Sequence, residues 1–319
     1  MIHAGDLIAD AVKATGSRAC VGLDPRPSLL PPSLTKEMLA AHGPGAEGVS
    51  AAFLEFNRQI IEAIAGSCAA VKPQVACYEA YGPPGIEALH ETVALARAAK
   101  VPVIIDAKRG DIGSTADHYH QAYFGGAPGL DDEPLGVPGA DGEARAGGDW
   151  ITVNGYLGWD GVTSIVGPPE AGRGAFVLVK TSNPSSGDLQ DTGSAGTSAT
   201  GTVAETMAGL VSEWGRNRIG ASGLSDIGAV VGATYPDEAR RLRELMPDTL
   251  FLVPGYGAQG ASASDALAGA RSDGSGVVIS SSRGIIAAWA ETDTDTDTED
   301  WGSAAAGALA SMNEALADY

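Results

Sequence analysis

The sequence contains eight short apolar runs, rich in β-branched residues and separated by longer stretches of mixed character. Each run is almost continuously apolar instead of alternating between apolar and polar positions. Such runs are typical of parallel strands that are covered on both faces of a sheet. The predicted strands are Ala19–Asp24, Cys68–Lys72, Val101–Lys108, Trp150–Asn154, Ala175–Thr181, Ile227–Ala233, Leu250–Pro254 and Val277–Ser281.

Between these runs, apolar residues recur at intervals of three and four, which predicts helices. The predicted helices are Phe53–Ala65, Ile86–Ala99, Val203–Trp214, Pro236–Leu245 and a closing helix, Ser303–Leu316. Strand alternating with helix eight times predicts an α/β fold, a (β/α)8 TIM barrel formed by residues 1–319 as a single domain. A doubly wound open sheet is the alternative fold.

Two segments interrupt this alternation. Gly125–Gly148 is rich in glycine, proline and aspartate and is predicted to be a flexible insertion near 125–148. Glu291–Asp300 carries a repeated Thr-Asp pattern that superficially resembles a calcium loop. An EF-hand loop needs glycine at position six and a carboxylate at position twelve, but counting from Asp293 these places hold Thr298 and Ala304. We therefore interpret the segment near 291–300 as a solvated acidic loop.

The charge balance limits the classes of partner. Forty acidic residues against twenty basic ones give a net charge of −20, which suggests a halophilic, salt-adapted protein and argues against nucleic acid as a partner. The apolar runs are too short to span a membrane, and the N-terminus lacks the features of a signal peptide. The cysteines and histidines show no metal-site spacing, so no metal is predicted and the three cysteines are expected to be reduced thiols of a cytoplasmic protein.

The stretch D-A-K-R-G-D-I-G-S-T, from Asp106 to Thr115, places opposite charges directly after a buried strand. Because strand side chains alternate, Asp106 and Lys108 are expected on the same face. Asp111 and Thr115 are four residues apart, which predicts one face of a helix that begins just after the strand. A lysine held against carboxylates suggests a proton-transfer apparatus, and the alternative is a surface ion-pair cluster.

Other predicted strands also end in polar residues, and in a barrel these ends meet at one rim. Only six residues of the chain are lysine, and three of them lie in or at the ends of predicted strands, which favours functional roles; they are Lys72, Lys108 and Lys180. The polar residues expected at the rim are Asp24, Lys72, Asp106, Lys108, Thr181, Ser182 and Asn183, followed by the segments P-G-Y-G-A-Q-G and S-S-S-R-G-I.

The segment Gly255–Gly260 fits the dinucleotide pattern G-x-G-x-x-G, but its position after the seventh strand does not fit that role. The loops after strands seven and eight are where barrels commonly bind phosphate. Arg283 can add a bidentate, charge-assisted contact. The sequence therefore predicts a phosphate monoester site formed by the glycines after strand seven, such as Gly255, backbone amides after strand eight and Arg283. Pro254 and Ser282, which adjoin these residues, are further candidates for substrate binding.

These motifs together resemble the orotidine 5'-phosphate decarboxylase family, in particular its longer, type 2 subgroup. The likeness covers most of the chain: V-G-L-D-P-R-P at 21–27, V-K-P-Q at 71–74, E-A-Y-G at 79–82, D-A-K-R-G-D-I-G-S-T-A at 106–116, T-S-N-P at 181–184, P-G-Y-G-A-Q-G at 254–260 and S-S-R-G-I at 281–285. One departure is Gly155, where the subgroup usually has proline. It lies away from the charged core and leaves the implied activity unchanged.

The resemblance implies cofactor-free decarboxylation of orotidine monophosphate to uridine monophosphate. Lys108 would protonate C6 of the pyrimidine, and Lys72, Asp106 and Asp111 would complete an alternating charged array. Asp24 and Lys72 would hold ribose hydroxyls, and Ser182 would contact the pyrimidine with Asn183 close by. Gln259 and Arg283 would hold the phosphate. In the family, the residues equivalent to Asp111 and Thr115 come from the partner subunit of a homodimer, and Ile112 beside them is a further candidate for substrate binding.

Two alternatives to this activity stay open from the sequence. A related sugar-phosphate barrel, such as a hexulose-phosphate synthase, resembles the family around D-x-K-x-x-D but uses magnesium. A ligand-binding barrel without activity is the other alternative. The combination of Asp106, Lys108 and Asp111 argues against pure binding, because binding alone does not need a lysine between acids.

Overall fold

The computed structural model describes residues 2–138, 144–145, 147–193, 201–291 and 300–317 of the chain. Eight strands pair in parallel in the order β2-β1-β8-β7-β6-β5-β4-β3. Bridges from Val71 to Val103 and from Gln74 to Asp106 join the two outer strands, so the sheet closes into a cylinder. The strands are β1 (Ala19–Leu23), β2 (Ala70–Pro73), β3 (Ile104–Arg109), β4 (Trp150–Val153), β5 (Gly174–Lys180), β6 (Ile227–Val231), β7 (Phe251–Pro254) and β8 (Val277–Ser281).

Helices surround the cylinder and connect successive strands. Helix α1 is different, because Ala4 and Ile8 belong to the core inside the cylinder and the Trp150 indole donates to the Ala4 carbonyl at 3.2 Å. It therefore covers the end at which the strands begin. The helices are α1 (Ala4–Thr15), α2 (Pro32–His42), α3 (Ala46–Ile64), α4 (Val75–Glu79), α5 (Gly82–Ala98), α6 (Gly113–Phe124), α7 (Trp159–Val166), α8 (Gly187–Gln190), α9 (Val203–Gly215), α10 (Pro236–Leu245), α11 (Ala263–Ala266), α12 (Arg283–Ile286) and α13 (Trp301–Ala317).

The strands separate two apolar cores. Inside the cylinder, Trp150 stacks on Phe176 with ring centroids 4.4 Å apart, and Leu252 and Val278 pack in the same cluster. Neighbouring strand residues such as Val177 face outward and pack against the helices. Both faces of each strand are thus buried, which explains why the strands read as continuous apolar runs.

The predicted barrel is confirmed, and the open-sheet alternative is wrong because β2 and β3 are joined. The eight strands lie where the apolar runs predict them, with bounds shifted by three residues at most. Helix α10 has the predicted bounds, whereas α5 begins at Gly82 instead of Ile86. Prolines at the start of α5 are tolerated because the first N–H groups of a helix need no intrahelical acceptor.

The interruptions are described only in part. In the 125–148 segment, Ala127–Pro128 pairs antiparallel with Pro134–Leu135, and Val137–Pro138 pairs with Ala144–Arg145. Most of the predicted acidic loop, residues 292–299, lies outside the described residues. No helix among the described residues is long and apolar enough to cross a membrane. All three cysteines are free thiols; Cys20 and Cys68 are buried, and Cys77 is partly exposed.

Candidate active site

A cavity of about 750 Å³ opens at the end of the cylinder where the strands finish. This is the end at which barrel enzymes build their sites from the loops that follow the strands. Of the predicted site residues, those that line the cavity are Asp24, Lys72, Asp106, Lys108, Ser182, Asn183, Pro254, Gly255, Gln259, Ser282 and Arg283. The opposite end of the cylinder is covered by α1.

Three charged side chains meet at the centre of the cavity. Lys72 on β2 donates to Asp106 Oδ2 on β3 with Nζ 2.6 Å away, and Lys108 donates to Asp106 Oδ1 at 2.5 Å. Thr152 on β4 and Gln74 also donate to the Asp106 carboxylate, each at 2.9 Å. Asp106 is therefore fixed by donors from three neighbouring strands and the turn after β2, and it holds the two ammonium groups side by side.

Electrostatic attraction between Lys72 and Asp106 keeps both of these buried side chains ionised. Burial alone would raise the pKa of Asp106, but Lys72 and Lys108 outweigh it and hold that pKa well below its ordinary value. Burial alone would lower the pKa of Lys72, but the Asp106 and Asp24 carboxylates outweigh it and raise that pKa above its ordinary value. Asp106 and Lys72 are thus both charged at neutral pH, and neither can serve as a neutral base.

The backbone at Lys108 is unusual. Its φ of 49° lies in the left-handed region, and the pairing of β3 with β4 is irregular between Ile105 and Arg109. The Lys108 amide donates to Thr152 Oγ1 at 2.9 Å instead of continuing the strand ladder. This local distortion brings the Lys108 side chain, which is 46% exposed, to the cavity wall.

Asp111, Ile112 and Thr115 do not line this cavity. The prediction that Asp111 and Thr115 share one helix face is wrong, because α6 begins at Gly113 and Asp111 lies before it. Strand β3 continues to Arg109, so the next residues must turn the chain before a helix can start. Asp111 Oδ1 accepts from the Ile112 amide at 2.8 Å, and Ile112 is 54% exposed. Asp111, Ile112 and Thr115 are thus not part of the cavity wall of their own chain.

The remaining predicted residues form two sides of the cavity. Asp24 lies at the end of β1, and its Oδ1 atom is buried without a hydrogen-bond partner in the described part of the chain. Such an oxygen suits a ligand hydroxyl, because buried polar atoms are normally satisfied. Gln259 and Arg283, after β7 and β8, form the side that suits a phosphate.

Lys180 does not line the cavity, although it ends β5, one residue before the predicted end of this strand at Thr181. Its ammonium binds Asp191 on the outer side of the cylinder. Lys180 therefore lies outside this cavity, although its place in a predicted strand favours a functional role. The cause is a shift of register between β5 and β6, which changes the direction of the side chain.

Sequence reasoning missed several residues that line the cavity. Thr152 was detectable, because it is the polar residue of an otherwise apolar strand. Gln74 stands in a recognised motif but had no assigned role, and nothing near Gln190 signals its position. The missed residues are Arg26, Gln74, Thr152 and Gln190, whereas Tyr256, Ser280 and Ser281 belong to the two segments expected at the rim.

Comparison with known proteins identifies the family. Residues 17–292 match the sequence model described as the orotidine 5'-phosphate decarboxylase / HUMPS family. The chain belongs to this family. A protein named orotidine 5'-phosphate decarboxylase from Rhodopirellula baltica is 42% identical over 309 residues, which are 96% of this chain and 96% of that protein. One of the same name from Haloarcula marismortui is 41% identical over 95% of this chain and 93% of its own length.

Solved structures agree with the orotidine 5'-phosphate decarboxylase / HUMPS assignment. The structure of Leishmania donovani OMP decarboxylase superposes with a TM-score of 0.69 and 31% identity, covering 99% of both chains. The barrel is therefore shared with a solved OMP decarboxylase. In the part of the chain that the structure describes, no three His, Cys, Asp or Glu side chains gather as metal ligands would.

Proposed function

We propose that this protein decarboxylates orotidine 5'-monophosphate to uridine 5'-monophosphate and CO2, the last step of de novo UMP synthesis, without a cofactor. The observation that carries the proposal is the contact of Lys72, Asp106 and Lys108 in a cavity whose far side offers Gln259 and Arg283. Family membership and the names of its relatives support the same substrate.

In the proposed reaction, the bond between C6 and the carboxylate breaks and its electron pair stays on C6. CO2 leaves, and a proton moves from Lys108 Nζ to C6. The ring offers no adjacent electron sink, so the ammonium of Lys108 stabilises the charge where it develops. Asp106 keeps this ammonium in place before the substrate arrives, which removes the need for reorganisation during the step.

Binding at the two ends of the substrate would fix C6 beside Lys108. Asp24, with its unpartnered Oδ1, and Lys72 suit the ribose hydroxyls. Ser182 suits the pyrimidine, with Asn183 beside it. The phosphate would lie against Gln259 and Arg283, together with Pro254, Gly255 and Ser282. Binding energy from the remote phosphate then supports the chemical step by holding the reacting carbon in position.

The substrate is an anion and the protein carries a net charge of −20. Local positive charge must therefore outweigh the field of the whole molecule. Lys72, Lys108, Arg283 and Arg26 all line the cavity and supply this charge. Salt screens the repulsion from distant surface carboxylates more than it screens contacts within the cavity.

We further propose that the active site is shared between two subunits of a homodimer. Asp111, Ile112 and Thr115 do not line the cavity of their own chain, which suits residues that serve a partner's site. Ile112, Tyr156 and Leu157, in the loops after β3 and β4, are 54%, 82% and 46% exposed, and a partner subunit would cover them.

The activity is tested by following the ultraviolet absorbance of orotidine monophosphate in molar salt, with and without EDTA. Turnover that survives EDTA supports the proposal. No turnover by folded protein would refute it. Loss of turnover in EDTA would contradict cofactor-free chemistry.

Mixing two inactive variants tests the shared site. Lys108→Ala and Asp111→Ala should each be nearly inactive, because each removes one part of both sites. In a mixed dimer one site combines the intact Lys108 of one chain with the intact Asp111 of the other. Random exchange should restore about a quarter of the wild-type activity, since half of the dimers are mixed and half of their sites are intact. No recovery despite demonstrated subunit exchange would refute the shared site.

Several finer assignments remain predictions of this proposal. They are membership of the type 2 subgroup, a cytoplasmic location, salt adaptation and the organisation of residues 1–319 as one barrel domain with additions near 125–148 and 291–300. The subgroup is predicted from the motifs quoted above, and salt adaptation from the net charge of −20.

A further inference from the structure

Lys180 is a buried lysine outside the candidate active site. Its side chain is 1% exposed, its ammonium binds the Asp191 carboxylate, and it lies 4.2 Å from the centre of the Tyr235 ring. Removing an ammonium from water is costly unless partners compensate. Tyr235 and Asp191 supply that compensation, so the three side chains form one unit, which we call the Lys180 latch.

A bulge directs Lys180 toward this latch. Phe176 and Leu178 pack in the core inside the cylinder, so regular alternation would point residue 180 inward as well. Instead, Leu178 pairs with Val230 and Lys180 with the very next residue, Val231. The extra residue in β5 turns the side chain outward, toward an outer cavity that Leu242 of α10 also lines.

The latch closes the base of the loop formed by residues 181–191, which we call the β5 loop. Asp191 ends this loop and is bound to Lys180 just before its start. Next to that ion pair, Gln190 accepts from the Thr181 amide at 3.0 Å and donates to Thr181 Oγ1 at 2.8 Å. The two ends of the loop are thus joined by an ion pair and two hydrogen bonds.

Tyr235 connects the middle of the same loop to the latch. Its hydroxyl accepts from Ser186 Oγ at 3.1 Å and donates to the Asn183 carbonyl at 3.5 Å. The face of the same ring contacts the Lys180 ammonium. One buried cation therefore holds both the end and the middle of the β5 loop.

We propose that Lys180 is a positioning residue that fixes Ser182 and Asn183 against the substrate through Asp191 and Tyr235. The inference rests on the proposed function, because Ser182 and Asn183 line the cavity on its pyrimidine side. Lys180 itself touches neither the cavity nor the reacting atoms. Its effect passes through the β5 loop, whose side chains must lie within a fraction of an ångström of their working positions.

The first experiment compares Lys180→Met with Arg241→Met in molar salt. Arg241 lines the same outer cavity but pairs with Glu205 and Glu244 instead of the β5 loop. Lys180→Met should lower kcat/KM by about 30-fold, on the scale expected for a misplaced substrate contact, while Arg241→Met stays within about 2-fold of wild type. Equal activity of the two variants would overturn the proposal.

A double-mutant cycle separates positioning from general destabilisation. If Lys180 acts through Ser182, Lys180→Met should lower kcat/KM by about 3-fold or less in a Ser182→Ala background, far less than it does in the wild type. Full additivity of the two losses would overturn the inference. If Lys180→Met does not fold, Asp191→Asn replaces it in the same cycle, because this substitution keeps the size of the side chain. Asp191→Asn should lower kcat/KM by about 10-fold.

Hydrogen exchange provides a readout that does not depend on activity. Amides of the β5 loop should exchange at least about 10-fold faster in Lys180→Met than in Arg241→Met, while those of β7 remain unchanged. Unchanged exchange in the loop would refute the latch, even if the wild-type protein proved inactive. An inactive wild type with faster loop exchange would instead refute the proposed function and leave the latch supported.

Discussion

At the scale of single residues, Lys108 combines its proposed chemical role with a strained backbone. Its φ of 49° is a conformation that residues with a side chain adopt at a cost of about 1–2 kcal/mol. The Thr152 hydroxyl accepts from the Lys108 amide and donates to Asp106, so one side chain supports both the distortion and the ion pair. The backbone strain is thus retained at the residue proposed to transfer the proton.

Two substitutions at this position should separate chemistry from strain. Lys108→Ala and Lys108→Gly should both lose more than about 10³-fold in kcat, because each removes the proton donor. Affinity for uridine monophosphate should change only by a modest factor. Lys108→Gly should be about 1 kcal/mol more stable than Lys108→Ala, since glycine adopts this φ without the steric cost. Denaturant titration measures the difference, and equal stability of the two variants would contradict the strain.

The ion pair of Lys72 with Asp106 should also affect how the free energy of unfolding depends on pH. The lowered pKa of Asp106 contributes stability in full above its unfolded value of about 4, and this is lost as pH falls toward its folded value. The raised pKa of Lys72 contributes stability in full below about 10.4, and this is lost as pH rises further. Both contributions are complete between about pH 5 and pH 9.

Denaturant midpoints of the wild type and Asp106→Asn at successive pH values check this expectation. Below about pH 4 the wild type should lose stability faster than Asp106→Asn, because only the wild type must protonate this carboxylate. The two curves should run parallel between pH 5 and pH 9. Parallel curves down to about pH 2 would show that the carboxylate is not held by its lysine neighbours.

At the scale of elements, the site depends on how closely strand ends approach each other. A Cβ atom added to Gly22 on β1 would lie 1.9 Å from Ser282 Oγ and 2.8 Å from Ser282 Cβ. Ser282 follows β8 and borders the part of the cavity proposed to hold phosphate. A glycine in β1 thereby sets the position of a side chain on the neighbouring strand end.

Gly22→Ala should therefore act on phosphate binding. The added methyl group must displace Ser282, so KM for orotidine monophosphate should rise about 10-fold or more while kcat falls less. Steady-state kinetics measure the split. An unchanged KM in a folded variant would show that Ser282 does not contribute to binding. Gly209→Ala on α9 is a matched control, since no described atom beyond its chain neighbours and the adjacent backbone of its own helix lies within 4 Å of the added Cβ.

The elements also show what the sequence can and cannot predict. Lys72, Asp106 and Lys108 were predicted together because charge that follows an apolar run is visible in the sequence. Lys180 follows the same pattern but points outward, because a bulge leaves no signal in the order of residue types. Gln190 reaches the cavity from a short helix whose position depends on tertiary contacts.

At the scale of the whole molecule, the net charge of −20 opposes the compact state. Many basic residues are already engaged in ion pairs, among them buried Arg218 with Asp226 and the pair of Arg97 with Asp149. Because acidic residues outnumber basic ones by forty to twenty, the excess carboxylates repel one another across the surface. Screening by salt reduces this repulsion.

Stability should therefore rise with salt. Between 0.1 M and 2 M KCl the Tm should increase by more than about 5 °C, which corresponds to a few kcal/mol for a chain of this size. Differential scanning calorimetry measures the change, with sucrose of equal osmolality as a control for solvent exclusion. Full stability in dilute buffer would contradict salt adaptation while leaving the proposed reaction untouched.

The cylinder is closed between β2 and β3 by two separate bridges, and the Lys72–Asp106 ion pair crosses the same seam. Lys72 and Asp106, which are proposed to take part in the reaction, thus also stabilise the closed barrel. On heating, separation of β2 from β3 would abolish activity before the surrounding helices unfold. A bound nucleotide that contacts both β2 and β3 would stabilise this seam. It should therefore raise the temperature at which activity is lost more than it raises the temperature of global unfolding.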